Sequence, residues 1–276
     1  MQDLPFDMQA GQPPFVVVQA EAADDRPLAV LVDTGNGAPY DVLLSPAAAA
    51  RMKTVPAEGS DKSAAAIGAG PVTFAAQSVP RFRLGPVELR NASAGVSPAV
   101  DGVAKQVGRP IDAIIGHRFL AGRTIAIDYA AHRIDFAARV PGGEAIGFTL
   151  APARPLTLVS VTINGHGPFL MALDTGASAT LVSPAVARAA GLGGGQQVSL
   201  AGAGGLDSRG ATLVQGRIAL GPYARDGRNI GIADVIAPIQ KAAGAPIDGV
   251  LGADFLAGMR ITIDYGSNRL WIQPSS

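Results

Sequence analysis

Apolar positions in this chain fall in short runs rather than at helical spacing. Phe15–Val18, Leu28–Val32, Leu156–Ile163 and Phe169–Leu173 are β-branched or apolar stretches bounded mainly by Gly, Asp, Asn or Pro, which is how strands between turns read. Arg260–Asp264 and Arg269–Gln273 flank a turn and predict a hairpin. Helices are few. Ser45-Pro46 and Ser183-Pro184 each place a hydroxyl at an N-cap and proline at the first helical position, ahead of Ala-rich stretches, and Gly191 is a natural stop for the second. A further turn or two is expected over Gly116–Ala121 and Gly252–Ala257. The pattern predicts an all-β class with a few short helices.

The pattern is written twice. Ile111-Asp112-Ala113-Ile114-Ile115-Gly116, then Phe119-Leu120-Ala121-Gly122 and Ile125-Ala126-Ile127-Asp128-Tyr129, recur in the same order and at one constant offset as Ile247-Asp248-Gly249-Val250-Leu251-Gly252, Phe255-Leu256-Ala257-Gly258 and Ile261-Thr262-Ile263-Asp264-Tyr265. Upstream, Val32-Asp33-Thr34-Gly35 recurs at nearly the same offset as Leu173-Asp174-Thr175-Gly176. Chance would supply on the order of 0.1 Asp-Thr-Gly triplets in such a composition, so two in register with a longer repeat mean internal duplication. The junction is expected near Arg139–Pro155, where Pro141-Gly142-Gly143 and Pro152 interrupt regular structure. Two similar lobes follow, over 1–145 and 146–276.

Composition narrows the function. The 276 residues carry 22 Lys+Arg against 22 Asp+Glu, so the net charge is zero. No basic run exists to hold nucleic acid or an anionic membrane surface. Without cysteine there is no disulfide, thiolate nucleophile or zinc-thiolate site. No apolar stretch approaches the roughly 20 residues that span a bilayer, so membrane insertion is not expected. This chain shows no signal peptide at its start, though one could have been removed from a precursor. High Gly and Pro, 35 and 21 residues, fit a turn-rich β-fold.

A carboxylate between an apolar run and Thr-Gly is a costly place for charge, although a lone Asp-Gly there reads as an ordinary turn. Duplication changes that reading. If the lobes pack about a pseudo-twofold axis through these loops, Asp33 and Asp174 face each other, and two carboxylates in contact resist joint ionisation. They would share a proton and titrate as a pair, one form serving as general base and the other as general acid.

With these motifs the sequence resembles the aspartic proteases, pepsin-like in its two lobes on one chain and retropepsin-like in the compactness of each. The resemblance runs from about Phe15 to Ile272. It implies the acid-protease fold of two closed β-barrel-like lobes, and an endopeptidase whose catalytic dyad is Asp33 and Asp174. Thr34 and Thr175 would exchange hydrogen bonds across the lobe interface, and the amides of Gly35 and Gly176 would bond the inner carboxylate oxygens. Ile114-Ile115-Gly116 and Val250-Leu251-Gly252 would each brace the catalytic loop of their own lobe. Ile67-Gly68-Ala69 and Gly202-Ala203-Gly204 are candidates for the glycine-containing flaps over the substrate.

Departures from the family pattern also carry information. Asn36 and Ala177 follow the two triplets where pepsins usually carry Ser or Thr, and no tyrosine falls in a flap candidate. Losing a donor to the ionised form raises a carboxyl pKa, which predicts activity at mildly acidic to neutral pH. Asp128 and Asp264 end strands at turns, where backbone amides are the expected partners, and Asp112 and Asp248 are expected to hold their loops in the same way. His117, His132 and His166 lack metal-ligand spacing and read as surface or loop residues. Gly68-Ala69-Gly70 and Gly202-Ala203-Gly204 lack the dinucleotide fingerprint.

The expectation is therefore a cofactor-free, metal-free protease acting on polypeptide. Nucleic acid is not an expected partner, and a dimer is not required to complete the site. Arginine far outnumbers lysine and alanine is abundant, a composition of GC-rich bacterial genomes, and bacterial relatives of this type point to a periplasmic or secreted location. A non-catalytic peptide-binding module on the same scaffold is the alternative.

Overall fold

The short apolar runs become the central strands of two sheets built to one plan. In the computed structural model, which describes residues 3–8, 13–21, 26–57, 62–64, 72–202 and 205–274, strand Leu28–Val32 is buried along nearly its whole length. It pairs antiparallel with Val17–Ala20 and parallel with Ala113–Ile115. Beyond lie Val42–Leu44, Val87–Val96 and Val72–Leu84, and a bridge between Glu21 and Arg83 brings the two ends of this succession together. The second half repeats the order with Thr157–Ile163, His166–Asp174, Gly249–Gly252, Thr180–Val182, Tyr223–Ile232 and Gly205–Leu220. There the first and last strands pair directly, Thr162 opposite Ala219, closing a six-stranded barrel.

A third sheet joins the halves. Leu4–Pro5, Thr124–Asp128 and Arg133–Asp135 come from one half, and Ile146–Gly147, Met259–Asp264 and Arg269–Pro274 from the other. Its central pair is antiparallel with Ala126 opposite Thr262. These two positions are copies of each other in the duplicated segment that ends Ile-Asp-Tyr, so the local twofold passes between them. The main hydrophobic core is continuous through both halves, with Val32, Ile115, Leu173 and Leu251 among its members.

Both expected caps are present. Ser45 Oγ accepts from Ala48 N at 3.1 Å and starts helix Pro46–Arg51. Ser183 Oγ accepts from Val186 N at 3.2 Å and starts Pro184–Ala189. Single helical turns, His117–Leu120 and Ala253–Leu256, follow the motif glycines. Two further helices, Ala99–Val107 and Ile236–Ala243, go beyond the sequence expectation. Each shows one apolar stripe, Val100 with Val107 and Ile236 with Ile239 and Ala243, and each ends at a glycine with φ in the left-handed region, Gly108 (73°) and Gly244 (65°). Eight or nine residues hold too few turns for periodicity to separate them from a strand-rich background.

One expectation needs correction. Asp112 and Asp248 do not cap their own turns. Asp112 Oδ2 accepts from Ala29 N at 2.8 Å and its amide donates to Ala29 O at 2.8 Å. Asp248 makes the matching pair with Leu170, at 2.8 and 2.7 Å. The carboxylate continues the ladder where the parallel strands diverge, so its partner is distant in sequence. Asp128 and Asp264 do bond local amides, those of Ala131 at 2.9 Å and Gly266 at 3.0 Å.

Candidate active site

Each Asp-Thr-Gly loop leaves the carboxyl end of a buried central strand. Asp33 N donates to Ile115 O at 3.0 Å, and Asp174 stands opposite Gly252 in the parallel register. Ile115 and Leu251 are fully buried behind the two loops. The next turn is held from the same side in both halves. His117 N donates to Asn36 O at 3.0 Å, and Ala253 N to Ala177 O at 2.9 Å. Gly116 and Gly252 permit this approach, because a Cβ would lie 2.1 Å from Asn36 O and 2.5 Å from Ala179 C respectively.

The two threonines lock the loops to each other. Thr34 N donates to Thr175 Oγ1 at 3.1 Å, and Thr175 N to Thr34 Oγ1 at 3.0 Å. The hydroxyls donate onward, Thr34 to Leu173 O at 2.8 Å and Thr175 to Val32 O at 2.7 Å. Both side chains are fully buried, so removing one hydroxyl orphans a backbone donor and acceptor at once. Thr34→Val is expected to destabilise the chain by about 1–3 kcal/mol for each orphaned group, a loss that denaturant unfolding measures.

This lock brings Asp33 and Asp174 within hydrogen-bonding reach of each other. Gly176 N donates to Asp174 Oδ1 at 2.8 Å. Asp33 Oδ1 is buried and has no hydrogen-bond partner among the described residues. Each glycine abuts the opposite carboxyl: a Cβ on Gly35 would sit 2.3 Å from Asp174 Cγ, and one on Gly176 2.6 Å from Asp33 Cγ. Burial raises both carboxyls above the ordinary aspartate range, and the neighbouring Asp174 charge raises Asp33 further, to well above it. The pair therefore holds its protons more tightly than isolated aspartates do and titrates as a unit.

Asn36 turns back on its own loop, its Oδ1 accepting from Ala38 N at 3.0 Å. The carboxyl pair opens onto a cavity of about 460 Å³. Its walls are mostly apolar and come from both halves, Phe15, Leu31 and Val107 on one side and Leu156, Leu181 and Ile239 on the other. Of the flap candidates, Gly202 pairs with Gly205 at the end of the hairpin formed by Gln196–Gly202 and Gly205–Leu220. Ala203 and Gly204, and Ile67, Gly68 and Ala69 in the first half, lie outside the described residues. Helix Ala99–Val107 of the first half packs against Gln196–Gly202 of the second.

Several neighbours of the pair lie beyond what sequence reasoning finds. Tyr129 and Tyr265 are buried near enough to feel the charge of the other half's carboxyl, Asp174 and Asp33 respectively; burial first, then that charge, raises both phenols, Tyr265 to about 12. Their signal is present, since both close the duplicated Ile-Asp-Tyr. His117 is half-buried edge-on to Tyr265, with ring centroids 5.5 Å apart, and burial lowers its pKa; it is not a surface residue. Thr180 Oγ1 accepts from Gly252 N and donates to Asp254 Oδ1, both at 3.2 Å, tying the second loop down. Arg154 also lines the cavity and interacts electrostatically with both carboxyls. It has no duplicated partner, and nothing in its local sequence marks it. Among the described residues no three His, Cys, Asp or Glu side chains gather as a metal site, and no helix is long and apolar enough to cross a membrane.

Comparison with known proteins agrees with this arrangement. Residues 159–255, which contain the Asp174 loop and Gly252, match a family model described as aspartyl protease. No curated protein sequence matches the chain. Among solved structures, an aspartic proteinase from Irpex lacteus superposes with a TM-score of 0.58 at 14% identity, covering 99% of this chain and 97% of that one. The chain has the fold of the aspartic proteinases, and its second half carries the aspartyl protease signature around Asp174.

Proposed function

We propose that the chain is an aspartic endopeptidase whose two lobes, 1–145 and 146–276, hold polypeptide in the cleft between them. The observation that carries this reading is the carboxyl pair on the cavity floor, held in hydrogen-bonding reach by reciprocal threonine bonds. A peptide bond offers an uncharged carbonyl that water attacks slowly, so the catalyst must deprotonate the water and protonate the carbonyl oxygen together. A singly protonated pair does both. The ionised carboxyl takes a proton from water as its oxygen bonds the carbonyl carbon, while the protonated carboxyl donates to the carbonyl oxygen and leaves a neutral tetrahedral diol. The carboxyl that took the water proton then gives it to the amide nitrogen while the other takes a proton from a diol hydroxyl, so the C–N bond breaks as the carbonyl re-forms and the pair regains its single proton. Extended peptide would approach along the Gly202 hairpin edge by main-chain hydrogen bonds.

The test is digestion of an unstructured protein by the wild type from pH 3 to 8, with fragments identified by mass. Internal cleavages with an optimum between mildly acidic and neutral pH are expected, because burial and mutual repulsion raise the pair. An optimum below about pH 3 would contradict that expectation. Absence of cleavage together with tight peptide binding, unchanged in Asp33→Asn, would favour a binding module.

A further inference from the structure

The active-site loops obey the local twofold, and one charge breaks it. Residues separated by the same interval as Thr34 and Thr175 are matched in the strands that precede the loops: Val17 pairs with Leu31, and Leu158 with Ala172. The segments entering those strands match as well. Phe15 N donates to Pro13 O at 2.8 Å, and Leu156 N donates to Arg154 O at 2.7 Å. Pro13 and Arg154 are therefore counterparts, separated by that same interval, and both line the cavity. One side lends the cavity an apolar ring and the other an arginine, whose charge acts on both carboxyls.

The first loop is adapted to this asymmetry. Gly37, directly after Asn36, lies against the arginine stem: a Cβ there would sit 2.5 Å from Arg154 Cγ and 3.3 Å from Pro155 N. Its counterpart in the second loop is Ser178, which has a side chain. The backbone around Arg154 is pinned by Ala151 N to Leu156 O at 3.1 Å and Ala153 N to Ala243 O at 3.1 Å. These bonds fix the backbone from which the Arg154 side chain reaches the cavity.

We propose that Arg154 is a positioning residue of the carboxyl pair, a fixed cation on the cavity wall that sets the pH window over which Asp33 and Asp174 share one proton. The inference rests on the reading of that pair as the catalytic dyad. Among the described residues no other charge competes with it at the cavity. The remaining lining residues are apolar or neutral, with Gln106, Ser178 and Ser199 the polar ones. The other titratable groups that act on the pair are Tyr265 and Tyr129, both phenols raised by burial and so neutral in the working range, and His117 packs on Tyr265. An arginine stays protonated throughout that range. It favours each ionisation of the pair, in line with its lowering influence on both carboxyls, so losing it moves both limits of the monoanion window upward.

The experiment compares wild type, Arg154→Gln, Arg154→Lys and Gly37→Ala, following kcat/KM against pH and, separately, the carboxyl carbons of the pair by ¹³C NMR titration. In Arg154→Gln both limbs of the profile are expected to rise by about one pH unit or more, with about tenfold lower kcat/KM at the acid foot. Arg154→Lys is expected to restore most of the shift. Gly37→Ala, which displaces the stem, should reproduce the glutamine profile and add nothing in the double variant. A folded Arg154→Gln whose limbs and carboxyl titration coincide with wild type overturns the inference, even if its thermal stability falls, since a merely structural side chain would do only that. If nothing is cleaved but the titration still moves, the role of Arg154 stands and the protease reading fails.

Discussion

Asp33→Asn and Asp174→Asn are each expected to lower peptide turnover by about 10²–10⁴-fold or more, and at the same time to raise stability at pH 7. The loss follows because one amide leaves the pair unable to act as base and acid together. The gain follows from the direction of the carboxyl shifts. Burial raises both groups in the folded chain. A carboxyl with a raised folded pKa binds its proton more tightly when folded, so its contribution is fully present below the unfolded value, about 3.9. That contribution is lost as pH rises through the folded value. The wild type should therefore lose stability as pH rises above the ordinary aspartate range, and either asparagine variant should flatten that decline. Melting temperatures at pH 4 and 7 for the three proteins, beside turnover, check both halves. A variant that kept wild-type turnover would remove the dyad from the mechanism.

Gly35→Ala and Gly176→Ala carry the second largest effect. The added methyl carbon would fall 2.3 Å from Asp174 Cγ in one case and 2.6 Å from Asp33 Cγ in the other. No contact that short survives, so the facing carboxyl or the loop must move. Misplacement on the scale of about 1 Å at reacting groups costs about 10²-fold in rate, and activity should fall by at least that much in either variant. Gly142→Ala is the matched control, since nothing lies within 4 Å of its added carbon, and it should leave activity unchanged and stability within about 0.5 kcal/mol. Near wild-type kcat/KM in Gly35→Ala would mean that the carboxyl pair is not held as closely as these contacts require.

The two glycine effects and the two aspartate effects should be nearly equal between halves, because the loops are near copies. Arg154 is the exception. Its charge acts on both carboxyls, so its removal acts on the pair rather than on one half.

The sequence by itself determined the class of the fold, the duplication and the helix caps, and it singled out the two aspartates. These are local or repeated signals: short apolar runs ended by turn residues, a Ser-Pro start, and a triplet improbable enough that two copies carry meaning. Ser45 and Ser183 cap their helices through contacts three residues away, a range over which sequence and structure coincide. Tyr129 and Tyr265 are visible as duplicated letters, but their influence on the opposite half's carboxyl is not, because each is bonded across to the other half, Tyr129 N to Met259 O and Tyr265 N to Arg123 O. Asp112 and Asp248 read as local turn formers, and only strand pairing reveals their partners at Ala29 and Leu170.

Arg154 is not legible in the sequence at all. Its meaning depends on three segments far apart in the chain, the two Asp-Thr-Gly loops and the stretch around Arg154, meeting at one cavity. Tertiary structure alone decided which charge faces which, since electrostatic strength depends on distance and burial, and neither is written in the order of residues.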